Sequence, residues 1–117
     1  MKGKRLYGEL GEDFAVRILQ SRGYQLIEKN FRSSYGEIDI IVRDGDTYVF
    51  VEVKTRWSKK FGFAVEAVTP AKIHKIKRAI DYYFLVKKLK RVKSRIEVVA
   101  IDIEEGKLLN AKIVKVD

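Results

Sequence analysis

The chain has 117 residues, 46% hydrophobic and 35% charged, with a formal charge of +9. That suits one domain, residues 1–117, with a buried core, and is too apolar for a disordered polyelectrolyte. There is no cysteine and one histidine, His74, which excludes disulfides, cysteine-based zinc sites, a cysteine nucleophile and multi-histidine metal sites, and argues against a Ser-His-Asp triad.

The N-terminus "MKGKRLYGELGEDF" lacks an apolar run and a cleavage site, and no stretch approaches a membrane span. A cytoplasmic location is the expectation. The charge is unevenly spread. Lys72–Arg95 holds ten Lys or Arg and a single acid, Asp81, whereas the rest of the chain has fifteen of each sign. A concentrated basic segment attracts polyanions; the alternative is a solvated helix face.

Residues 8–22 predict a helix. Leu10, Phe14 and Ile18 repeat at i, i+4, Ala15 and Leu19 widen the stripe, and Gly23 supplies a C-cap. Glu12 falls at the margin of the stripe, beside Gly11, whose missing side chain would let the helix approach the sheet or a phosphate closely. Residues 24–31 predict a strand, with Tyr24, Leu26 and Glu28 on one face and Ile27 on the other. Asn30 and Arg32 follow, Arg32 being a phosphate contact or a salt-bridge partner.

"GEIDIIVRDGDTYVFVEVKTR", residues 36–56, predicts a hairpin with Asp44-Gly45 as a two-residue loop. Arg43 then pairs with Asp46 and Glu37 with Glu52. Ile38, Ile40 and Val42 share one aliphatic face with Val49, Val51 and Val53. Glu37, Asp39, Glu52 and Lys54 collect on the other, with Asp39 and Glu52 diagonal neighbours about 7–8 Å apart. Such a cluster is either a wet hairpin end with ordinary salt bridges or a site. Two carboxylates suffice for Mg²⁺ when waters and a substrate phosphate complete the shell, and an adjacent ammonium suits phosphodiester hydrolysis.

Residues 55–68 read as a long excursion. Arg56, Trp57, Lys59, Lys60, Phe61 and Phe63 interleave cations with rings, as a nucleic-acid contact loop or a small core would. Thr69 and Pro70 open a second helix as N-cap and first helical residue. Ile73, Ile76, Ile80, Tyr83 and Phe84 form its apolar side; Lys72 and Lys75 lie away from it, where they could grip a nucleic-acid backbone. Residues 95–103 and 108–116 predict two more strands, turned through Gly106. The order of helix, three strands, helix and two strands predicts an α/β fold: a mixed central sheet flanked by helices.

The hairpin resembles the signature of the restriction-endonuclease-like, or PD-(D/E)XK, superfamily: Asp39, twelve residues, Glu52, one residue, Lys54. Ile38 stands where the superfamily name has proline. Nearly the whole chain resembles the YraN family of small bacterial proteins, through "YGELGEDFA", "GYQLIEKNFRSSYGEIDII", "VFVEVKTR" and "FGFAVEAVTPAKIHKI". That family is similar to archaeal Holliday-junction resolvases. The resemblance implies a restriction-endonuclease-like fold and a divalent-metal-dependent endonuclease acting on DNA, branched or junction DNA included. Asp39 and Glu52 would hold Mg²⁺, with Mn²⁺ substituting; Lys54 would be the catalytic lysine and Glu12 a further ligand or positioning group. By position and charge alone, and not from the resemblance, Arg32, Arg56, Lys72 and Lys75 would contact nucleic acid. Junction cutting would call for a homodimer. The alternative is a nucleic-acid-binding module that keeps the fold without turnover.

Overall fold

The computed structural model describes residues 2–57 and 69–116. The elements are α1 (Lys2–Ser21), β1 (Gln25–Ser33), β2 (Gly36–Asp44), β3 (Thr47–Arg56), α2 (Pro70–Val86), β4 (Lys93–Glu104) and β5 (Lys107–Val116). They form the expected mixed sheet flanked by two helices. The strands lie in sequence order, antiparallel except for β3 and β4, which run parallel on either side of the α2 crossover. No helix among the described residues is long and apolar enough to cross a membrane.

Each sheet face carries its own core. Ala15 and Leu19 of α1 pack on Ile40, Val42, Val49, Val51, Val99 and Ile101. Ile76, Ala79, Ile80 and Tyr83 of α2 pack on Ile38, Ile41, Phe50 and Ile96. Helix α1 ends as its sequence dictates. Gly23 adopts φ +88°, and the Gly23 and Tyr24 amides bond back to the carbonyls of Gln20 and Leu19. At the start of α2 the Thr69 hydroxyl accepts the Lys72 amide at 3.3 Å.

Three expectations are corrected. The β2–β3 loop is Gly45-Asp46, not Asp44-Gly45: Asp44 pairs with Thr47 and Arg43 with Tyr48. Gly45, at φ +62°, takes the first loop position, which a type II′ turn reserves for glycine. Asp44 instead joins the ladder, where it receives Arg95 at 2.8 Å. The slide is two residues, so each side chain keeps its face, and Asp39 moves level with Glu52. Glu37 therefore does not oppose Glu52; it pairs with Arg32 on β1.

Secondly, Ile38 does not share a face with Ile40. Ile38 and its partner Phe31 pack on the α2 side, whereas Ile40 packs under α1 and its partner Lys29 reaches Asp13 of α1. Between these two rungs, Asn30 on β1 and Asp39 on β2 carry both strands across the sheet. Asn30 does so with φ +55°, a conformation asparagine tolerates. Thirdly, a register shift between Leu26 and Glu28 separates those residues, so that Glu28 pairs with Lys87 beyond α2 at 3.6 Å rather than following Leu26 under α1.

Candidate functional site

The kink at Asp39 creates the site. The β2–β3 ladder runs from the turn to the Ile40–Val51 rung. Past it, the Asp39 side chain replaces backbone, its Oδ2 accepting the Val53 amide at 2.8 Å. This anchors the carboxyl beside Glu52. Glu52 lies between Val51 and Val53, which pack under α1, so alternation turns Glu52 and Lys54 to the α2 face.

Burial, then the Glu52 charge, push the Asp39 carboxyl up to about 8; the Glu12 charge and a hydrogen bond to Glu52 add to this, and the Val53 amide opposes it. Burial and the neighbouring charge thus favour the protonated form of Asp39. Lys54 Nζ lies 3.0 Å from Glu52 Oε1. Burial works against the Lys54 ammonium, but Glu52, by hydrogen bond and charge, more than offsets it and the pKa rises. Lys72, at the start of α2, comes against Lys54; that contact and charge hold the Lys72 pKa below the usual lysine range, with Arg56 adding to the repulsion. Two lysine side chains therefore meet a pair of acidic ones.

The structure thus brings Asp39, Glu52, Lys54 and Lys72 together. Glu12 is half-buried nearby but tethered elsewhere. The Asn30 amide, turned so that its nitrogen faces the acids, donates to Glu12 Oε1 at 3.2 Å and to Glu37 Oε1 at 3.0 Å. Burial raises the Glu12 pKa, and the Asn30 hydrogen bond counters it. Gly11 permits this approach: a Cβ there would overlap Thr55 Oγ1 and sit 3.2 Å from Thr55 Cβ. Arg32 stands away from the acid pair, highly exposed, its Nε 3.9 Å from Glu37. Lys75 is exposed one turn beyond Lys72, its backbone beside Gly36. Arg56 is half-buried, and its Nε finds no hydrogen-bond partner among the described residues.

Trp57 packs against the α1-side core. Lys59, Lys60, Phe61 and Phe63 lie outside the described residues. Sequence patterns assign no role to two further polar residues. Asn30 is one; its signal would have been a helix-poor, left-handed-tolerant residue facing an acid across a ladder. The other is Asp102, buried on β4 level with Arg56. Its Oδ2 accepts from Asn110 at 3.5 Å. An acid inside the apolar run "VVAIDI" is that signal.

Among the described residues, no group of three or more His, Cys, Asp or Glu is placed to hold a metal ion. The donor set is a pair. Two adjacent carboxyl groups, one of them pushed towards its protonated form by burial and the other's charge, fit a hard divalent cation that keeps several waters, since the cation would replace that proton.

Comparisons with known proteins agree on one family. The model described as "Uncharacterised protein family UPF0102" matches residues 11–101. A UPF0102 protein of Caldicellulosiruptor saccharolyticus is 41% identical over 113 residues, 96% of each chain. One from Dictyoglomus turgidum is 44% identical over 104 residues, 88% of each. One from Neisseria meningitidis is 42% identical over 95 residues, 81% of this chain and 83% of its own. The chain belongs to the UPF0102 family.

Proposed function

We propose that this UPF0102 protein binds nucleic acid through its phosphate backbone, on a scaffold of the restriction-endonuclease-like kind. The observation that carries this reading is the meeting of Lys54 and Lys72. Like charges are pressed together at the mouth of the site, and a phosphate oxygen between them would turn repulsion into two charge-assisted hydrogen bonds. Arg56 and Lys75 extend the seat to either side. The basic excess of the Lys72–Arg95 segment supplies the longer-range attraction.

The test is binding of a labelled DNA followed by anisotropy across a salt series. Affinity falls steeply with salt. Lys72→Gln weakens binding to every sequence alike and lowers the log–log salt slope by about 1. A salt-independent affinity, or none, defeats the reading.

A second reading, metal-dependent endonuclease activity, is favoured by the placement of Asp39 beside Glu52, with Lys54 against Glu52. A divalent cation held by these two carboxylates would supply Lewis acidity to a phosphoryl oxygen and to an attacking water. With that site filled Asp39 would serve as a carboxylate ligand, kept in place by the Val53 amide. Lys54, still protonated beside Glu52, orients the water and offsets charge building on the phosphate. Hydrolysis breaks one phosphorus–oxygen bond as the water oxygen bonds to phosphorus, and the leaving oxygen takes up a proton. Labelled single-stranded, duplex and four-way-junction DNAs with Mg²⁺ or Mn²⁺ test it. Asp39→Ala and Glu52→Ala abolish cleavage and retain binding. A wild-type protein that binds all three and cuts none is the binding module alone.

A further inference from the structure

Past Lys75, the β1 side of α2 carries a feature that phosphate binding does not use. Lys75, Arg78 and Tyr82 follow one another at i, i+3 and i+7, and so share one flank of the helix. That flank lies against the β1–β2 turn, where Tyr35 projects. The Arg78 guanidinium sits 4.8 Å from the centroid of the Tyr35 ring. The Tyr35 and Tyr82 rings are 5.7 Å apart, and Phe31 supports Tyr82 from beneath at 6.2 Å. Both tyrosines remain open to solvent, Tyr35 at 41% and Tyr82 at 37%. With Leu85 and Asp81 they line a cleft of about 250 Å³, below the roughly 300–1,000 Å³ of clefts that enclose whole drug-sized ligands.

We propose that this cleft is a stacking platform for an unpaired nucleobase, so that the preferred substrate is nucleic acid with bases splayed from the helix close to the phosphate seat. The proposal rests on the nucleic-acid reading above. Three observations favour it. Aromatic rings held beside an arginine plane are the usual receivers of a flipped or single-stranded base. The platform is continuous with the seat: Lys72 and Lys75 lead to it along α2, and Gly36, next to Tyr35, packs against the Lys75 backbone. Its rim is cationic, with Lys75 and Arg78 exposed and Asp81 the only acid of the segment. A second copy of the chain docked about a two-fold here would bring those cations against their own copies.

The test uses the full chain with two DNAs of equal length: a continuous duplex, and the same duplex carrying three unpaired nucleotides with 2-aminopurine at the centre. Wild-type protein binds the second DNA about tenfold more tightly, and its 2-aminopurine fluorescence falls on binding. Tyr35→Ala with Tyr82→Ala removes the quenching and the tenfold preference, while duplex affinity stays. Tyr35→Phe with Tyr82→Phe restores both, because stacking needs the ring and not the hydroxyl. Equal affinity for the two DNAs without quenching overturns the platform and leaves the phosphate seat standing. Failure to bind either DNA overturns both. A double-alanine variant that turns a dimer into a monomer in sedimentation and loses both DNAs equally marks the patch as a self-interface, which also overturns the proposal.

Discussion

Asp39 Oδ2 accepts the backbone amide of Val53 at 2.8 Å. A side chain on β2 thus completes a hydrogen bond on β3 just where the two strands leave their ladder. The bond locates an acid that burial would otherwise expel, and it holds that acid beside Glu52.

Stability should depend on the Asp39 proton. Burial and the Glu52 charge raise its folded pKa from the ordinary aspartate value of 3.8 to about 8. The folded state therefore binds the proton more tightly. The stabilising contribution is complete below about pH 4, declines as pH rises towards 8, and is gone above that. Asp39→Asn removes the slope. Relative to wild type, the variant gains on the order of a few kcal/mol between pH 4 and pH 9, measured by urea unfolding at both. Parallel pH profiles for the two proteins would refute the assignment.

A divalent cation should stabilise the protein most where that proton is lost. At pH 8, Mn²⁺ in large excess over its dissociation constant adds about 3 kcal/mol and raises Tm by several degrees. Chelation with EDTA reverses this. At pH 5 the gain shrinks, because protons compete for Asp39. Asp39→Ala and Glu52→Ala show no metal shift by differential scanning fluorimetry. An equal shift in Glu52→Ala would place the cation elsewhere.

Gly11 sets how closely α1 approaches β3. Gly11→Ala improves helix propensity by about 1 kcal/mol, yet its methyl group overlaps Thr55 Oγ1. Overpacking of this kind costs about 1–3 kcal/mol, so the variant is less stable. Thr55→Ala in the same chain removes the obstructing hydroxyl and recovers part of the loss. Thermal unfolding of the two single variants and the double variant closes the cycle.

Arg95 is the counterweight at the far end of the sheet. Its guanidinium reaches Glu97 at 2.6 Å, Asp44 at 2.8 Å and the Tyr24 hydroxyl at 2.9 Å. Burial opposes its charge, but these partners prevail and raise its pKa further. Glu97 is completely buried, and its Oε1 has no hydrogen-bond partner among the described residues. Arg95→Met leaves that carboxylate uncompensated and costs about 3–5 kcal/mol. Glu97→Leu added to Arg95→Met restores most of it. Chemical denaturation of the three variants measures the recovery.

Periodicity alone determined the element order, the mixed sheet and most of the core, because burial imposes a period near 3.6 on α2 and near 2 on β2 and β3. It also determined that Glu52 and Lys54 share a face, since a strand leaves no other choice. The charge of Lys72–Arg95 and the Thr69-Pro70 helix start were equally legible. Where alternation fails, only the folded chain could decide. The Gly45 turn slid β3 by two residues. That slide brought Asp39 level with Glu52, and the change of face between Ile40 and Ile38 sent Ile38 to the α2 core. The tether from Asn30 to Glu12, the meeting of Lys54 with Lys72 and the Tyr35–Tyr82 cleft all join residues distant in sequence. Strand faces follow from backbone geometry that each residue carries locally, whereas a bulge or an ion contact depends on what the opposing strand or helix presents.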